Sequence, residues 1–288
     1  MENERNVANG NFVFFGGTAG IGKAAAVELA RRHANILLVA RDRQAGAAAV
    51  AELQQEGAAS AAFLAADLST VAGVKAAADG VKAWKPTLHG LTHSAMTAFG
   101  KHQTTSDGLE FAFALQYLAR ALANRLLVDA LSASGDGRIV HVAGSVGKSA
   151  IPDLDDLQYE QGKWGFFKAV LGTHALGFLH IQEATRRWAD KPVTLTACCV
   201  GPTKTKAMQD KRMPLVMRLM GLVGTTPENS ARNVVTCLAK TSAADASGAV
   251  LRKPKAWTPE KIDWDAAKAA RLWDITERLA ENRHLSLS

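Results

Sequence analysis

The feature that most constrains the fold is an alternation of short apolar runs with longer stretches of helical periodicity. Residues 12–16 are an apolar run that ends in glycines, and an Ala-rich stretch follows at residues 21–32. Continuous apolar strands that alternate with helices are typical of a parallel sheet that is covered on both faces. The pattern therefore predicts an α/β fold with a doubly wound parallel sheet.

The same alternation continues to the end of the chain. Further strands are predicted at residues 35–40, 62–66, 88–94, 138–143 and 193–200, and helices at 43–55, 108–131, 166–189 and about 265–281. No internal repeat or low-complexity linker divides the chain, so we expect a single domain. Its predicted parts are an N-terminal tail at 1–11, the domain at 12–251 with a lid near 205–226, and a C-terminal loop and helix at 252–288.

Composition narrows the class of protein. The chain has 288 residues, 48% of them hydrophobic and 21% charged, which is enough to bury a full core. The net charge of +7 comes from basic residues that are spread along the chain, so it favours an anionic small ligand over a nucleic acid. No run of apolar residues is long enough to span a bilayer.

The three cysteines and the N-terminus indicate the compartment. Cys198, Cys199 and Cys237 have neither metal-ligand spacing nor the even number of a disulfide framework, so buried free thiols are expected. The first ten residues are polar and lack the apolar centre of a signal peptide. Together these features predict a cytoplasmic protein.

A glycine-rich turn lies between the first strand and the first helix. It reads GGTAGIG, with Gly20 four residues after Gly16 and Gly22 two residues later. Such glycines let the backbone approach a pyrophosphate, whose charge is met by the helix N-terminus. Turns also use glycine simply for positive φ, so the motif alone leaves that alternative open. In this position it predicts a Rossmann-like dinucleotide-binding fold.

The ends of the second and third strands add to this prediction. Arg41 follows the second strand, where such folds meet the adenosine ribose, and an arginine there suits the 2′-phosphate of NADP(H). A solvated surface arginine is the alternative. Asp67 and Leu68 follow the third strand, where the carboxylate can accept a hydrogen bond from the adenine amino group.

These motifs resemble the short-chain dehydrogenase/reductase family, with its TGxxxGxG turn, Asp-Leu pair and Asn-Asn-Ala-Gly segment. Here Phe15 replaces the threonine, and the last segment reads HSAM at residues 93–96. DGLE at 107–110, DDLQ at 155–158 and LWD at 272–274 resemble landmarks of its retinol-dehydrogenase-like branch. The resemblance implies NADP(H) contacts at Gly16, Thr18, Gly20, Ile21, Gly22, Arg41, Asp67, Leu68, Ser94, Ala95 and Thr205.

The family uses an Asn-Ser-Tyr-Lys tetrad, in which the tyrosine and lysine lie one helical turn apart as YxxxK. One literal match exists, at Tyr159 and Lys163. Alignment on the helix that carries Glu183 instead places Val170 at the tyrosine position and His174 at the lysine position. The favoured interpretation is that the tyrosine is lost, with a displaced Tyr159/Lys163 pair as the alternative.

The other two tetrad members also depart from the family pattern. Gly144 aligns with the catalytic serine, and Ser145 follows one residue late. Gln116 takes the place of the asparagine. His174, Ser145 and Gln116 are therefore the candidate catalytic substitutes, although a packed histidine and a loop serine are the simpler interpretations.

The motifs that bind the nucleotide are present in the sequence, whereas the tetrad residues that transfer the proton are not. This asymmetry predicts an NADPH-dependent reductase that acts without the tyrosine on a bulky hydrophobic substrate with imine, iminium or enone character. A non-redox cyclase or isomerase and an NADPH-binding regulatory pseudoenzyme are the alternatives. Fungal reductase/Diels-Alder cyclases that lack the tetrad suggest a role in secondary metabolism. The resemblance also implies a homo-oligomer, a dimer or tetramer, with no nucleic-acid partner.

Overall fold

The described structure is one eight-stranded sheet with helices on both faces. It is a computed structural model that describes residues 4–96, 99–240, 244–252 and 257–287. The strands are β1 (Asn11–Phe15), β2 (Asn35–Ala40), β3 (Ser60–Ala65), β4 (Gly90–His93), β5 (Gly137–Ala143), β6 (Val193–Cys199), β7 (Ala249–Leu251) and β8 (Glu260–Lys261).

The helices connect these strands and cover the sheet. They are α1 (Gly20–Ala30), α2 (Arg43–Gln55), α3 (Val71–Trp84), α4 (Ala119–Ser132), α5 (Phe166–Arg187), α6 (Lys206–Gln209), α7 (Leu215–Val223), α8 (Pro227–Ala239) and α9 (Ala266–Glu281). A π-helical turn, Phe113–Leu118, precedes α4. Most of the predicted helices and strands lie within a few residues of these bounds.

The strand order is β3-β2-β1-β4-β5-β6-β7-β8. All neighbouring pairs run parallel except β7 and β8, which are antiparallel. The order reverses between β1 and β4, and such a switch point forms a crevice at the carboxyl ends of the strands. The predicted doubly wound, Rossmann-like fold is therefore confirmed.

Alternation along β1 explains why the sheet is covered on both faces. Val13 and Phe15 pack with one buried cluster, and Phe12 and Phe14 pack with another on the opposite face. Because successive side chains point to opposite sides, a strand of this kind is stable only between two layers of helices. The strand ends are then aligned, since Phe15 of β1 is in register with His93 of β4.

The region before α4 differs from the prediction of a helix from residue 108. Gly108 has a φ of +73°, and the chain only then enters the helix that contains the π-helical turn. Turns of this type are frequent at functional sites because they displace side chains from the regular helical positions. Gln116 lies in the middle of this turn.

The motifs DGLE, DDLQ and LWD, which resemble landmarks of the family, make contacts between separate parts of the fold. The Asp107 carboxylate accepts a hydrogen bond of 2.7 Å from the Val71 N–H, at the first residue of α3. The Gln158 side chain accepts one of 2.6 Å from the Glu110 N–H. Trp273 of α9 lies beneath the guanidinium groups of Arg125 and Arg187, each within 5 Å of its ring.

Replacing Asp107 with alanine is expected to destabilise the protein by about 1 kcal/mol, because the first N–H of α3 loses its acceptor. Urea unfolding measures this loss. Asp263→Ala is the matched control, since Asp263 is an exposed carboxylate, and it should change the free energy of unfolding by less than about 0.5 kcal/mol. Equal effects of the two changes would contradict the assigned role.

Several elements were not predicted, namely α3, α6, α7, α8, β7 and β8. α8 packs against α1, and its N-terminus is capped by the Thr226 hydroxyl. Residues 1–3 of the predicted tail, and residues 253–256 and 288 of the predicted C-terminal part, lie outside the described residues. The three cysteines are free and buried, as predicted. Across the described ranges, no helix is both long and apolar enough to cross a bilayer.

Candidate cofactor and substrate site

The glycine turn follows β1 at the carboxyl edge of the sheet, where the end of β4 packs against it. The Ser94 and Ala95 N–H groups both donate to the Phe15 carbonyl, at 2.9 and 2.7 Å. Gly16 has a φ of +94°, and a Cβ there would lie 2.3 Å from the Ala95 nitrogen. A Cβ on Gly22 would lie 2.1 Å from the Ser94 hydroxyl. The turn thus requires glycine for both conformation and space, and it brings four of the predicted cofactor residues together.

The N-terminus of α1 has no side-chain cap. Ala19 occupies the capping position in an extended conformation, and no acidic residue lies in the first turn of the helix. The first N–H groups of a helix need acceptors, and their dipoles favour an anion. A pyrophosphate satisfies both requirements, so Thr18, Gly20, Ile21 and Gly22 fit a dinucleotide.

The loop after β6 lies against the same turn. Cγ2 of Thr205 would be 3.2 Å from a Cβ on Gly20, which itself has a φ of +60°. The Thr205 hydroxyl accepts a hydrogen bond from the Met208 N–H and so caps α6. The structure therefore places Thr205 beside the glycines, although these two residues are far apart in the sequence.

A groove of about 440 Å³ opens beside this turn. Thr18, Gly20 and Thr205 form one end of it, and α1 and α8 form its walls. Lys23, Lys204 and Lys206 contribute positive charge to its lining, although Lys23 is paired with Glu52 at 2.8 Å. Arg31, Arg232 and four glutamates also line the groove, so its lining carries both signs of charge.

Arg41 and Asp42 lie at the carboxyl end of β2 and have different surroundings. The Asp42 carboxylate accepts hydrogen bonds from the Gln44 and Ala45 N–H groups, at 2.9 and 3.0 Å, and thereby caps α2. Arg41 is exposed. Its guanidinium is thus available to a phosphate, while the neighbouring carboxylate is held by the helix.

Asp67 and Leu68 follow β3, next to Arg41 along the edge of the sheet. One oxygen of the Asp67 carboxylate accepts hydrogen bonds from the N–H and hydroxyl groups of Ser69. The Leu68 side chain is buried in the core, so its contribution to a ligand site is its backbone. The residues predicted to meet the adenosine half therefore share one edge, as the parallel pairing of β2 and β3 requires.

The residue predicted to replace the family tyrosine has apolar surroundings. Val170 is buried and packs with Phe166 of α5 and Met213 of the predicted lid. Trp164, Met208 and Met217 are packed against the same cluster. The cavity beside it has a volume of only about 10 Å³. A valine side chain has no proton to donate to a substrate.

His174, which is predicted to replace the family lysine, lies one turn after Val170 on α5. Its Nδ1 accepts a hydrogen bond of 3.0 Å from the Gly144 N–H, so the ring proton is assigned to Nε2. Burial, and to a lesser extent the charge of Arg120, lower the pKa of His174 to about 3. His174 is thus a neutral imidazole.

The two other predicted catalytic residues occupy different environments. Gln116 is buried, and its side-chain oxygen accepts a hydrogen bond of 3.4 Å from the Thr173 hydroxyl. Ser145 is exposed, and its hydroxyl accepts a hydrogen bond of 2.5 Å from Arg252. Gln116 is therefore hydrogen-bonded to α5, the helix that carries His174. Ser145 is hydrogen-bonded to Arg252, the residue that follows β7.

The literal YxxxK match does not have helical geometry. Tyr159 and Lys163 lie in the loop before α5, which begins at Phe166. Tyr159 has a φ of +59°, and Lys168 lies over its ring at 5.0 Å. Burial and the charges of Glu110 and Asp156 raise the pKa of Tyr159 to about 12. The two side chains are not one helical turn apart, as the family chemistry requires.

A buried polar cluster beneath the site was missed by the sequence analysis. The Asn124 oxygen lies 2.7 Å from His93 Nε2, and its nitrogen lies 2.9 Å from His141 Nε2 and 3.1 Å from His180 Nε2. Burial lowers the pKa of His93 and His180 to about 3 and that of His141 well below its ordinary value. Gln116 of the π-helical turn and Arg120 and Asn124 of α4 recur at intervals of four, which was the available signal.

Arg120 is the buried cation of this region. Its Nη1 donates a hydrogen bond of 2.8 Å to the Val142 carbonyl, while its buried Nε has no partner among the described residues. Burial lowers its pKa to about 10, so it stays charged at neutral pH. The sequence analysis also missed Thr173 and Arg252. Arg252 was missed because β7, the strand that precedes it, was not predicted.

Comparison with known proteins agrees with this geometry. Residues 11–215 match the family described as short chain dehydrogenase. Human retinol dehydrogenase 13 is 28% identical over 276 residues, which cover 92% of this chain and 82% of that protein. Human dehydrogenase/reductase SDR family member 13 is 27% identical over 282 residues, which cover 96% of this chain and 74% of that protein.

Solved structures show the same fold. L-sorbose reductase from Gluconobacter frateurii, complexed with NADPH and L-sorbose, is 20% identical with a TM-score of 0.65, covering 83% of this chain and 93% of that one. A short-chain type dehydrogenase/reductase from Mycobacterium ulcerans is 19% identical with a TM-score of 0.64, covering 89% and 94%. The strand order, the glycine turn and the family match over most of the chain lead to one conclusion: the chain belongs to the short-chain dehydrogenase/reductase family.

Proposed function

We propose that this protein is an NADPH-dependent reductase that acts on a bulky hydrophobic substrate whose reduction needs no proton from a tyrosine. The proposed substrate classes are iminium ions, imines that are protonated to iminium ions before hydride transfer, and enones, whose enolate takes its proton from water. The observation that carries the proposal is the contrast between an intact phosphate site at α1 and an apolar Val170 at the tyrosine position.

The cofactor side of the proposal rests on the glycine turn and on Arg41. The uncapped N-terminus of α1 would bind the pyrophosphate, and Thr205 lies against the same turn. Arg41 would bind the 2′-phosphate, because the Asp42 carboxylate that could repel it is engaged in capping α2. NADPH supplies a hydride when it is bound.

The proposal that no side chain donates a proton to the substrate rests on Val170 and His174. A ketone gains negative charge on oxygen as it is reduced and needs a proton donor, whereas an iminium ion loses a charge that it already has. Val170 offers no proton. His174 is neutral with its proton on Nε2, so it can donate a hydrogen bond but holds no second proton to give near neutral pH.

Polar groups on the two helices would orient the substrate. Gln116 and Thr173 are neutral and bonded to one another beside Val170. Ser145 is the weaker candidate, because its hydroxyl is bonded to Arg252. We assign Gln116 and His174 to hydrogen bonding with the substrate or the ribose.

The apolar surroundings support a bulky hydrophobic substrate. Phe166, Val170 and Met213 form the cluster at the reacting position, and methionines adapt readily to apolar ligands. A substrate pocket usually measures about 300–1,000 Å³, far more than the cavity beside Val170. Opening of the lid that carries Met213 is therefore part of the proposal.

Two further proposals concern the assembly and the compartment. A homo-oligomer through α4 and α5 is supported by Phe167 and Leu171, which are exposed apolar residues one turn apart on α5. A cytoplasmic location is supported by the free thiols of Cys198, Cys199 and Cys237.

The test is a comparison of kcat/KM for NADPH oxidation with matched pairs of bulky substrates, each pair containing a cyclic iminium ion and the corresponding ketone. We expect the iminium ion to be preferred by about 100-fold or more, since a general acid usually contributes 10²–10⁴-fold to ketone reduction. Tyr159→Phe should leave both rates unchanged, because Tyr159 lies outside α5.

Three results would contradict the proposal. Equal rates with ketones and iminium ions would indicate that the site contains a conventional proton donor. Loss of activity in Tyr159→Phe would identify Tyr159 as that donor. Formation of a product without NADPH oxidation would identify a non-redox enzyme. NADPH binding without turnover of any substrate would identify a regulatory protein.

A further inference from the structure

The outward surface of α7 is unusually apolar. Leu215, Val216, Leu219, Leu222 and Val223 are all exposed, and we call these five residues the α7 face. Leu215 is 65% exposed, Leu219 is 54% exposed and Val223 is 85% exposed. Contiguous exposed apolar residues of this size mark an interaction surface more often than an ordinary protein surface.

The opposite side of α7 is apolar as well. Met217 is packed against the cluster of Phe166 and Val170, and a Cβ on Gly221 would lie 2.9 Å from Cβ of Met208. These residues already hold α7 on the protein, so the α7 face is not needed for folding. Arg218 is the one charged residue of α7, so both sides of this helix are largely apolar.

Several cations lie on α7 and on the segment that precedes it. Lys204, Lys206 and Lys211 are exposed on the segment that leads into α7, and Arg218 is partly exposed within the helix itself. The one acidic residue of this segment, Asp210, is paired with Arg212 at 2.6 Å. The apolar surface is therefore bordered by cations that no carboxylate of its own segment neutralises.

We propose that the α7 face docks on a lipid bilayer surface that carries anionic headgroups. An apolar helix face bordered by lysine and arginine binds at such an interface, because the apolar side chains enter the acyl boundary while the cations meet the headgroups. The long arginine and lysine side chains can reach outward to the headgroups.

Charge argues against a second copy as the occupant. Two α7 faces in contact would bring the cations around Lys211 and Arg218 together, and the chain as a whole carries a net charge of +7. An anionic surface instead has the opposite charge to these residues and attracts them. The inference stands apart from the reductase proposal, because the α7 face points away from the cluster at Val170.

The experiment is sedimentation of the full chain with vesicles of phosphatidylcholine, with and without phosphatidylserine. We expect binding to the anionic vesicles, much weaker binding to neutral ones, and a loss of binding at high salt. Leu219→Ser/Leu222→Ser should abolish binding, and Lys211→Ala/Arg218→Ala should weaken it by about fivefold for each cation removed. All variants alter exposed or partly exposed side chains, and thermal unfolding checks that each is folded.

The matched control is Lys75→Ala/Lys82→Ala, which removes two exposed cations from α3, away from α7. It should bind as the wild type does. Equal binding by all variants, or no binding to anionic vesicles, would overturn the proposal. Self-association that Leu219→Ser/Leu222→Ser abolishes, without vesicle binding, would identify a second copy as the occupant.

Discussion

Acidification from pH 7 to pH 5.5 is expected to remove several kcal/mol of stability, and unfolding should follow not far below that pH. His93, His141, His174 and His180 are buried and neutral in the folded protein. In the unfolded chain each one gains a proton below its ordinary pKa of 6.5. The unfolded state therefore binds more protons than the folded state at these pH values.

The direction of the effect follows from the lowered pKa values. Stability is complete above pH 6.5, where the histidines are neutral in both states, and it falls as the pH drops from 6.5 toward about 3. Each histidine costs about 1.4 kcal/mol at pH 5.5. Four such costs are comparable with the total of about 5–15 kcal/mol that holds a domain folded.

The measurement is the free energy of unfolding in urea at pH 7 and at pH 5.5. His93→Asn removes one titrating group and keeps a polar side chain beside Asn124, so its loss between the two pH values should be smaller than that of the wild type by about 1.4 kcal/mol. His102→Asn, which replaces an exposed histidine, is the control and should match the wild type. An unchanged pH dependence in His93→Asn would show that the buried histidine is already protonated or is not buried in solution.

Arg41→Ala is expected to remove most of the preference for NADPH over NADH. An ionic hydrogen bond to a phosphate contributes about 1.5–3 kcal/mol, which corresponds to roughly 10- to 100-fold in affinity. NADH has no 2′-phosphate, so its affinity should hardly change. Isothermal titration of both cofactors into the wild type and the variant measures the two dissociation constants.

Arg278→Ala is the matched control for this experiment, because it removes an exposed arginine from α9. It should keep the full preference. Equal binding of NADPH and NADH by the wild type would overturn the assignment of Arg41 to the 2′-phosphate. Loss of both cofactors in Arg41→Ala would instead indicate that the change had disturbed the N-terminus of α2, where Asp42 is the cap.

Much of the sheet was predictable because its strands are buried on both faces. The run NILLVA at β2 is apolar at every residue after Asn35, and neither a surface loop nor an amphipathic helix has that pattern. β7 and β8 escaped detection because they have three and two residues, too few to show any periodicity. The π-helical turn escaped because its apolar residues fit an ordinary helix equally well.

The common location of the predicted cofactor residues could be inferred because they belong to short segments that follow strands. Gly16, Arg41, Asp67 and Ser94 each follow a different strand, and parallel pairing brings those strand ends to one edge. The environments of His174 and Ser145 were not predictable. The first depends on the Gly144 N–H of another element, and the second on Arg252, which is 107 residues away.

The sequence by itself determined the strand and helix periodicity, the glycines of the phosphate turn, and the absence of a tyrosine at residue 170. These properties are local, so neighbouring residues are enough to define them. Only the tertiary structure decided the protonation of His174, the partner of Ser145 and the exposure of the α7 face. Those properties depend on burial and on contacts between distant segments, and both arise only when the chain has folded.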